Sequence, residues 1–283
     1  MPHRILASDW LAPAVKRLVV EAPHVVRHCK PGQFVIVRPA ADSERIPLTV
    51  AHVDRPAGTI TLIIQAIGAT STKLCNLETG QTMSDVVGPL GKPTEIANVG
   101  HAAIVGGGVG TAVIYPQAPA LKELGNRVTA IIGGRSKPYV ILENELRATC
   151  DEVLPCTDDG SYGFAGFVTE RLKQLIDETQ QTGRKLGVVI CAGPVPMMRA
   201  VAETTRPFAI HTIASLNPIM VDGTGMCGGC RVQVNGTNLF ACVDGPEFDA
   251  HKVDFKELSD RLTAYREMEK VAMERHTCKL AQH

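Results

Sequence analysis

Three of the nine cysteines in this chain of 283 residues crowd into one short glycine-rich run, and that run limits what the chain can fold into more than any other feature. Cys29, Cys75, Cys150, Cys156, Cys191 and Cys278 are scattered, whereas Asp222-Gly-Thr-Gly-Met-Cys227-Gly-Gly-Cys230 is followed, after eleven intervening residues, by Cys242. An odd cysteine count with this clustering argues against a disulfide framework and for a metal site plus ordinary buried thiols. The spacing is that of plant-type [2Fe–2S] loops, Cys-x4-Cys-x2-Cys with a distant fourth cysteine, except that Asp222 fills the first position. Glycines at 223, 225, 228 and 229 suit such a loop, whose backbone wraps a cluster closely, points N–H groups at sulfur and needs positive φ. A zinc site pairs two short hooks across a spacer, whereas this run has one hook and one distant cysteine, which favours [2Fe–2S] over zinc. Asp222 is either the fourth ligand or a turn residue beside a ligand from outside.

Bulk properties exclude other classes. Lys+Arg and Asp+Glu both number 29, so the basic excess of a nucleic-acid or polybasic membrane binder is missing. Aromatic content of 4% leaves little for a base-stacking platform. The apolar stretches are strand-length, short of the ~20 residues of a membrane span, and Met1-Pro2-His3-Arg4-Ile5-Leu6 lacks the make-up of a signal peptide. A cytoplasmic protein is expected.

The chain changes texture twice. Residues 5 to 96 show short β-branched runs (Lys16–Val20, Gln33–Val37, Thr59–Gln65) between turn signals, which implies an antiparallel barrel or sandwich. Around residue 100 strands begin to alternate with helices: Ala102–Val105, a helical stretch to Gly125, Val128–Ile132, a helix over 167–180 and Gly187–Ala192. This alternation predicts a parallel, helix-covered sheet. From 207 come the cysteine segment and a charged helical tail over 255–280, by default a solvated helix. The expected domains are 1–96, 97–206 and 207–283, with Gly88–Pro93 as connector between the two sheets.

Gly106-Gly107-Gly108-Val109-Gly110 lies where a strand turns into a helix, which lets backbone approach a pyrophosphate. The strict G-x-G-x-x-G spacing is absent, so the run is equally a tight turn. Cys191-Ala192-Gly193-Pro194 follows another strand, and Thr157-Asp158-Asp159-Gly160-Ser161 a third, so three loops converge where open α/β sheets bind ligands. Arg135, where an acidic residue would select NAD, is either a 2′-phosphate contact favouring NADP or a solvated charge. In the β segment, Arg45-Ile46-Pro47-Leu48-Thr49 and Gly68-Ala69-Thr70-Ser71 suit a flavin pyrophosphate and ring, although each alone is commonly a surface loop.

Taken in order, the Arg45–Thr49 motif, the Gly106–Gly110 turn, the Cys191–Pro194 loop and the terminal cysteine cluster resemble the ferredoxin-NADP reductase superfamily. More narrowly, they resemble the electron-transfer subunit of type B dihydroorotate dehydrogenase and its relatives. Those relatives include the small subunit of NADH-dependent reduced ferredoxin:NADP oxidoreductase, also known as a sulfide dehydrogenase subunit. The resemblance covers nearly the whole chain and is most specific at Arg45–Thr49, Thr157–Gly166 and Asp222–Cys242. Asp222 in the first ligand slot and the charged tail continuing to His283 set this chain apart from the dihydroorotate dehydrogenase subunit and look like the transhydrogenase small subunit.

The resemblance implies an antiparallel FAD-binding barrel, a parallel-sheet NAD(P)-binding domain and a small [2Fe–2S] domain with a C-terminal helix. FAD contacts are implied for Arg45, Pro47, Leu48, Thr49, Gly68, Thr70 and Ser71, and NAD(H) contacts for Gly107, Gly108, Gly110, Asp158 and Gly193. Asp222, Cys227, Cys230 and Cys242 would hold the cluster. Hydride from NADH would reach FAD and leave as single electrons through the cluster, with no side chain needed as a catalytic proton donor. The implied partner is a larger FAD and iron–sulfur flavoprotein subunit resembling the glutamate synthase small chain, within a bifurcating NADH/NADPH/ferredoxin complex. The alternatives are service to a dihydroorotate dehydrogenase, a free-standing NADH:acceptor reductase, or a zinc-stapled nucleotide-binding module.

Overall fold

The computed structural model describes residues 3–280. Met1, Pro2, residues 281–283 and the side chains of residues 275–280, that of Cys278 included, lie outside the described residues.

The β-branched runs form strands where the sequence places them. β1 (His3–Ala12) and β2 (Val15–Glu21) make a hairpin, followed by α1 (Pro23–Val26), β3 (Phe34–Arg38), β4 (Ile46–Thr49), β5 (His52–Asp54) and β6 (Thr59–Gln65). α2 (Ala69–Cys75), β7 (Thr82–Met83) and β8 (Asp85–Leu90) complete this part. The strands pair antiparallel in two sheets, β5-β6-β2-β1-β7 and β4-β3-β8. They enclose one apolar core, where Leu18, Val20, Ile60 and Leu62 of the larger sheet join Val35 and Val37 of the smaller. This is the expected antiparallel barrel. Gly88, Pro89 and Leu90 are not the connector: they lie in β8, with Leu90 opposite Phe34 of β3. Pairing with β3 there overrides the local turn signal of the Gly-Pro sequence.

Strand and helix then alternate through β9 (His101–Gly107), α3 (Gly110–Ile114), α4 (Gln117–Glu123), β10 (Arg127–Gly134), α5 (Glu143–Arg147) and β11 (Glu152–Thr157). β12 (Phe164–Ala165), α6 (Val168–Gln181), β13 (Val188–Ala192), α7 (Val195–Thr205) and β14 (His211–Ser215) follow. The helical stretch expected up to Gly125 is split into α3 and α4 at Pro116, which has no N–H for the helix ladder. The six strands are parallel in the order β12-β11-β10-β9-β13-β14. β9 reads as a continuous apolar run because helices cover both of its faces. Ala102 and Ile104 pack with Ile114, Leu121 and Leu146 of α3–α5, while Ala103 and Val105 pack with Leu172, Ile176, Met198 and Val201 of α6 and α7.

The last part contains the hairpin β15 (Arg231–Val234) and β16 (Thr237–Phe240), then α8 (Ala241–Asp244), β17 (Glu247–Asp249), α9 (Phe255–Leu262) and α10 (Arg266–Leu280). β17 adds antiparallel to β14, so the sheet of the middle segment runs past residue 206. The tail expected as one helix is two. Asp254 starts the first by accepting N–H groups of Lys256 and Glu257 at 3.0 and 2.9 Å, and α10 crosses back to pack against α2. Among the described residues no helix is long and apolar enough to cross a membrane.

The docking of β17 rests on Phe248, 8% exposed in the core shared with α6 and α7. Phe248→Ala should cost about 3–5 kcal/mol of stability, checked by denaturant titration of the full chain against wild type.

Candidate functional site

The chain lays down β9, β10 and β11 towards one edge of the parallel sheet, then returns to place β13 on the other side of β9. Where strand order reverses in this way, the loops leaving neighbouring strands diverge and open a crevice beyond their C-terminal ends. The loops at Gly107–Gly110 and Ala192–Gly193 leave those two strands, and bare backbone lets them interlock. A Cβ on Gly110 would collide with the carbonyl of Ala192, and one on Gly107 with the sulfur of Met197. Gly108 has φ of +56°, and a Cβ there would meet nothing within 4 Å, so its backbone borders open space.

Asp158 is exposed just past the end of β11, its N–H donating to the Gly134 carbonyl at 3.2 Å, and Asp159 N–H donates to the Arg135 carbonyl at 3.2 Å. The fold thus brings Gly107, Gly108, Gly110, Asp158 and Gly193 to one sheet edge. Two aromatic residues there went unmarked in the sequence. The Arg135 guanidinium stacks 4.8 Å from the Tyr139 ring centre, and the Lys137 ammonium lies 5.2 Å from that of Tyr162. Lys137 and Tyr162 sit on separate loops, so no local pattern could have paired them.

The β4–β3–β8 sheet has two different faces, because successive residues of a strand point opposite ways. Val35 and Val37 enter the barrel core, with Leu48 and Ile46 packed against it. Phe34 and Ile36 point the other way, into the core that contains Val105, Cys191, Val195, Cys230 and Cys242. Cross-strand partners share a face, and Thr49 pairs with Phe34 and Pro47 with Ile36. Pro47 and Thr49 therefore face the cleft, whereas Leu48 faces the barrel interior and can offer a cleft ligand only its backbone. Arg45 is exposed at the mouth of β4, without a partner among the described residues. Thr70 is buried in α2. The Ser71 hydroxyl accepts the N–H groups of Ile67 and Gly68 at 3.1 and 2.9 Å, so it serves mainly to start the helix. Lys73 donates to Ser43 at 3.3 Å, tying α2 to the loop that carries Arg45.

The cysteine loop rests on the same cleft face. A Cβ on Gly223 would come within 2.7 Å of Leu90 and 2.9 Å of Ile36. Gly223, Gly225 and Gly228 have φ of +78°, +85° and +67°, values an L side chain resists. The Cys230 and Cys242 sulfurs are 3.2 Å apart and buried, whereas Cys227 is exposed. Backbone N–H groups point at sulfur, Gly229 to Cys227 and Cys242 to Cys230, both at 3.5 Å. Burial, then the Cys230 sulfur, pushes the Cys242 thiol up, so holding a metal here means displacing a tightly held proton.

Asp222 accepts the N–H of Thr224 on Oδ1 and that of Cys227 on Oδ2, both at 2.8 Å, and the Thr224 contact leads in holding its carboxyl below the usual range. Each carboxylate oxygen keeps a second lone pair, so the turn role and a ligand role are compatible. Among the described residues no group of three or more His, Cys, Asp or Glu could hold a single metal ion. Two thiolates on one tetrahedral metal stand roughly 3.8 Å apart, and the Cys230 and Cys242 sulfurs are already within 3.2 Å. Three thiols, with Asp222 in the first slot, are a donor set that fits a [2Fe–2S] cluster.

Residues 217–254 match the iron–sulfur cluster binding domain of dihydroorotate dehydrogenase B. The chain is 47% identical over 273 residues to a Thermotoga maritima dihydroorotate dehydrogenase B (NAD(+)) electron transfer subunit homolog, covering 96% of this chain and 95% of the other. It is 37% identical to the electron transfer subunit of Bacillus caldolyticus, covering 88% of this chain and 99% of that one. A solved structure of NADH-dependent reduced ferredoxin-NADP oxidoreductase, described for flavin-based electron bifurcation, superposes with a TM-score of 0.90 at 43% identity over 97% of this chain and 98% of the other. The architecture is that of the ferredoxin-NADP reductase fold. With an iron–sulfur domain and a reductase fold in one chain, the protein is an oxidoreductase subunit that belongs to the dihydroorotate dehydrogenase B electron transfer subunit family.

Proposed function

We propose that this chain is the NADH-side electron-transfer subunit of a bifurcating transhydrogenase that couples NADH, NADPH and ferredoxin, and that it carries FAD, a [2Fe–2S] cluster and NAD(H). The observation that carries this reading is the shared face of the β4–β3–β8 sheet: Pro47 and Thr49 stand on it, and the cysteine loop lies against Ile36 and Leu90 one and two strands away. Strands are spaced about 4.8 Å apart, so a flavin on β4 and a cluster in that loop would be near neighbours.

FAD takes electrons as a hydride pair and the cluster passes them singly, which is the redox chemistry the bound groups supply. The chain positions them. Arg45, Pro47, Thr49, Gly68, Thr70, Ser71 and the Leu48 backbone would hold FAD. Gly107, Gly108, Gly110, Asp158 and Gly193 would hold the nucleotide, and Asp222, Cys227, Cys230 and Cys242 the cluster. The division at 1–96, 97–206 and 207–283 belongs to the same proposal. Likeness to the ferredoxin-NADP oxidoreductase chain over 97% of this sequence supports the transhydrogenase role, with a larger glutamate-synthase-like flavoprotein as partner. The match to the dihydroorotate dehydrogenase B cluster domain favours a second reading, service to that dehydrogenase.

Mass spectrometry of what co-purifies anaerobically with the tagged chain from its source separates the two. A glutamate-synthase-like flavoprotein is expected, and a dihydroorotate dehydrogenase catalytic chain would overturn the assignment. At the crevice, Gly110→Ala should weaken NADH binding at least tenfold, on the order of 1.4 kcal/mol, read from NADH-dependent bleaching of the flavin. Asp222→Cys should still hold a cluster but change its visible spectrum and reduction potential. A variant matching the wild type in both would exclude Asp222 as a ligand.

A further inference from the structure

Glu247 opens β17, and its carboxyl head is shut inside a junction of four chain segments. Gln117, fully buried at the start of α4, donates its Nε2–H to Glu247 Oε1 at 2.8 Å and stands 3.4 Å from the Thr94 hydroxyl. Thr94 belongs to the connector that leaves the barrel. Gly32, with φ of +83°, precedes β3, and a Cβ on it would collide with Thr94 and reach within 3.2 Å of Glu247 Oε1.

Two buried atoms in this junction have no hydrogen-bond partner, Glu247 Oε2 and Gln117 Oε1. With Glu247 ionised both are acceptors, and neither can satisfy the other, so each stays a buried orphan that costs stability. A proton on Oε2 turns it into a donor. An acid and an amide that already share the N–H to Oε1 bond have the groups for a second one, from the acid O–H to Oε1 of the glutamine. Among the described residues Glu247 forms no ion pair. The groups against it are the Gln117 amide, the Thr94 hydroxyl and the Cys191 thiol of β13, none of which carries a positive charge that would favour the carboxylate. Lys92 pairs instead with Asp244 at 3.9 Å. Burial pushes the carboxyl up from its ordinary range.

We propose that Glu247 is held as a neutral carboxylic acid, closing an acid–amide pair with Gln117 that pins the cysteine-bearing segment to the nucleotide domain. It is a positioning residue. The strand it opens lies five residues beyond Cys242, and its flanks are fixed by the N–H of Lys92 to the Gly245 carbonyl at 2.6 Å and of Leu216 to the Pro246 carbonyl at 2.9 Å. Neither the pair nor its test depends on which cofactors or partner the chain takes.

A group protonated in the fold and ionised when unfolded contributes its full stability below the unfolded pKa. That contribution is lost as pH rises, by up to tenfold in the folding constant per pH unit, until the folded group itself titrates. Glu247→Gln closes the same ring as an amide–amide pair at every pH and lacks this loss. In denaturant titrations of the full chain, the stability of E247Q relative to wild type should therefore rise steadily from about pH 5 to about pH 8. A difference independent of pH overturns the proposal.

Exchanging the partners, E247Q with Q117E, rebuilds the pair in reverse and should restore the wild-type pH slope. A double variant that stays as flat as E247Q overturns the cyclic pair. If E247Q does not fold, infrared spectra of the wild type decide: a protonated-carboxyl band at neutral pH, lost only in alkali, is expected, and its absence overturns the proposal.

Discussion

The alternation of β3 organises the molecule. Val35 and Val37 enter the barrel core while Phe34 and Ile36 enter the core shared by the parallel sheet and the cysteine segment. A strand buried on both faces by different partners cannot slip register, because one residue of slip would exchange the two sets of side chains. It therefore fixes β4 on one side and β8 on the other, and with them the cleft face that carries Pro47 and Thr49 and supports the loop at Gly223. Everything proposed about electron passage depends on the two cores being joined through this strand.

The sheet edge and the cysteine loop solve a related problem by leaving side chains out. Gly107 and Gly110 have no room for a Cβ, since the Met197 side chain of α7 occupies that volume at the first and the Ala192 carbonyl at the second, whereas nothing lies within 4 Å of a Cβ on Gly108. In the cysteine loop three glycines hold positive φ, and Cys230 at its end meets the buried thiol of Cys242 from α8. Glycine thus acts in two senses: close approach of neighbouring segments at the crevice, and unusual backbone direction in the cysteine loop.

Asp222 and Glu247 are carboxyl groups with opposite electrostatics. Asp222 lies at the surface and accepts two backbone N–H groups, which favour its charge. Glu247 faces an amide, a hydroxyl and a thiol, and burial favours its neutral form. The first shapes the loop that bears Cys227. The second fixes the strand that follows Cys242. The segment holding the three clustered cysteines is thereby flanked by two carboxyl groups whose surroundings favour opposite protonation states.

Local features of the sequence were sufficient for the barrel strands, the strand–helix alternation and the cysteine spacing, because period-two runs, glycine turns and ligand intervals are written in neighbouring residues. The cleft-facing choice of Pro47 and Thr49 over Leu48, the capture of Gly88–Leu90 by β8, and the cation–aromatic contacts of Arg135 and Lys137 were not legible, since each depends on residues from another segment. Nor was the Glu247–Gln117 junction, whose partners are 130 positions apart. The sequence by itself determined which chemistry the chain can carry. Only the tertiary structure decided which faces meet, because the side a side chain takes is set by the strand or helix packed against it.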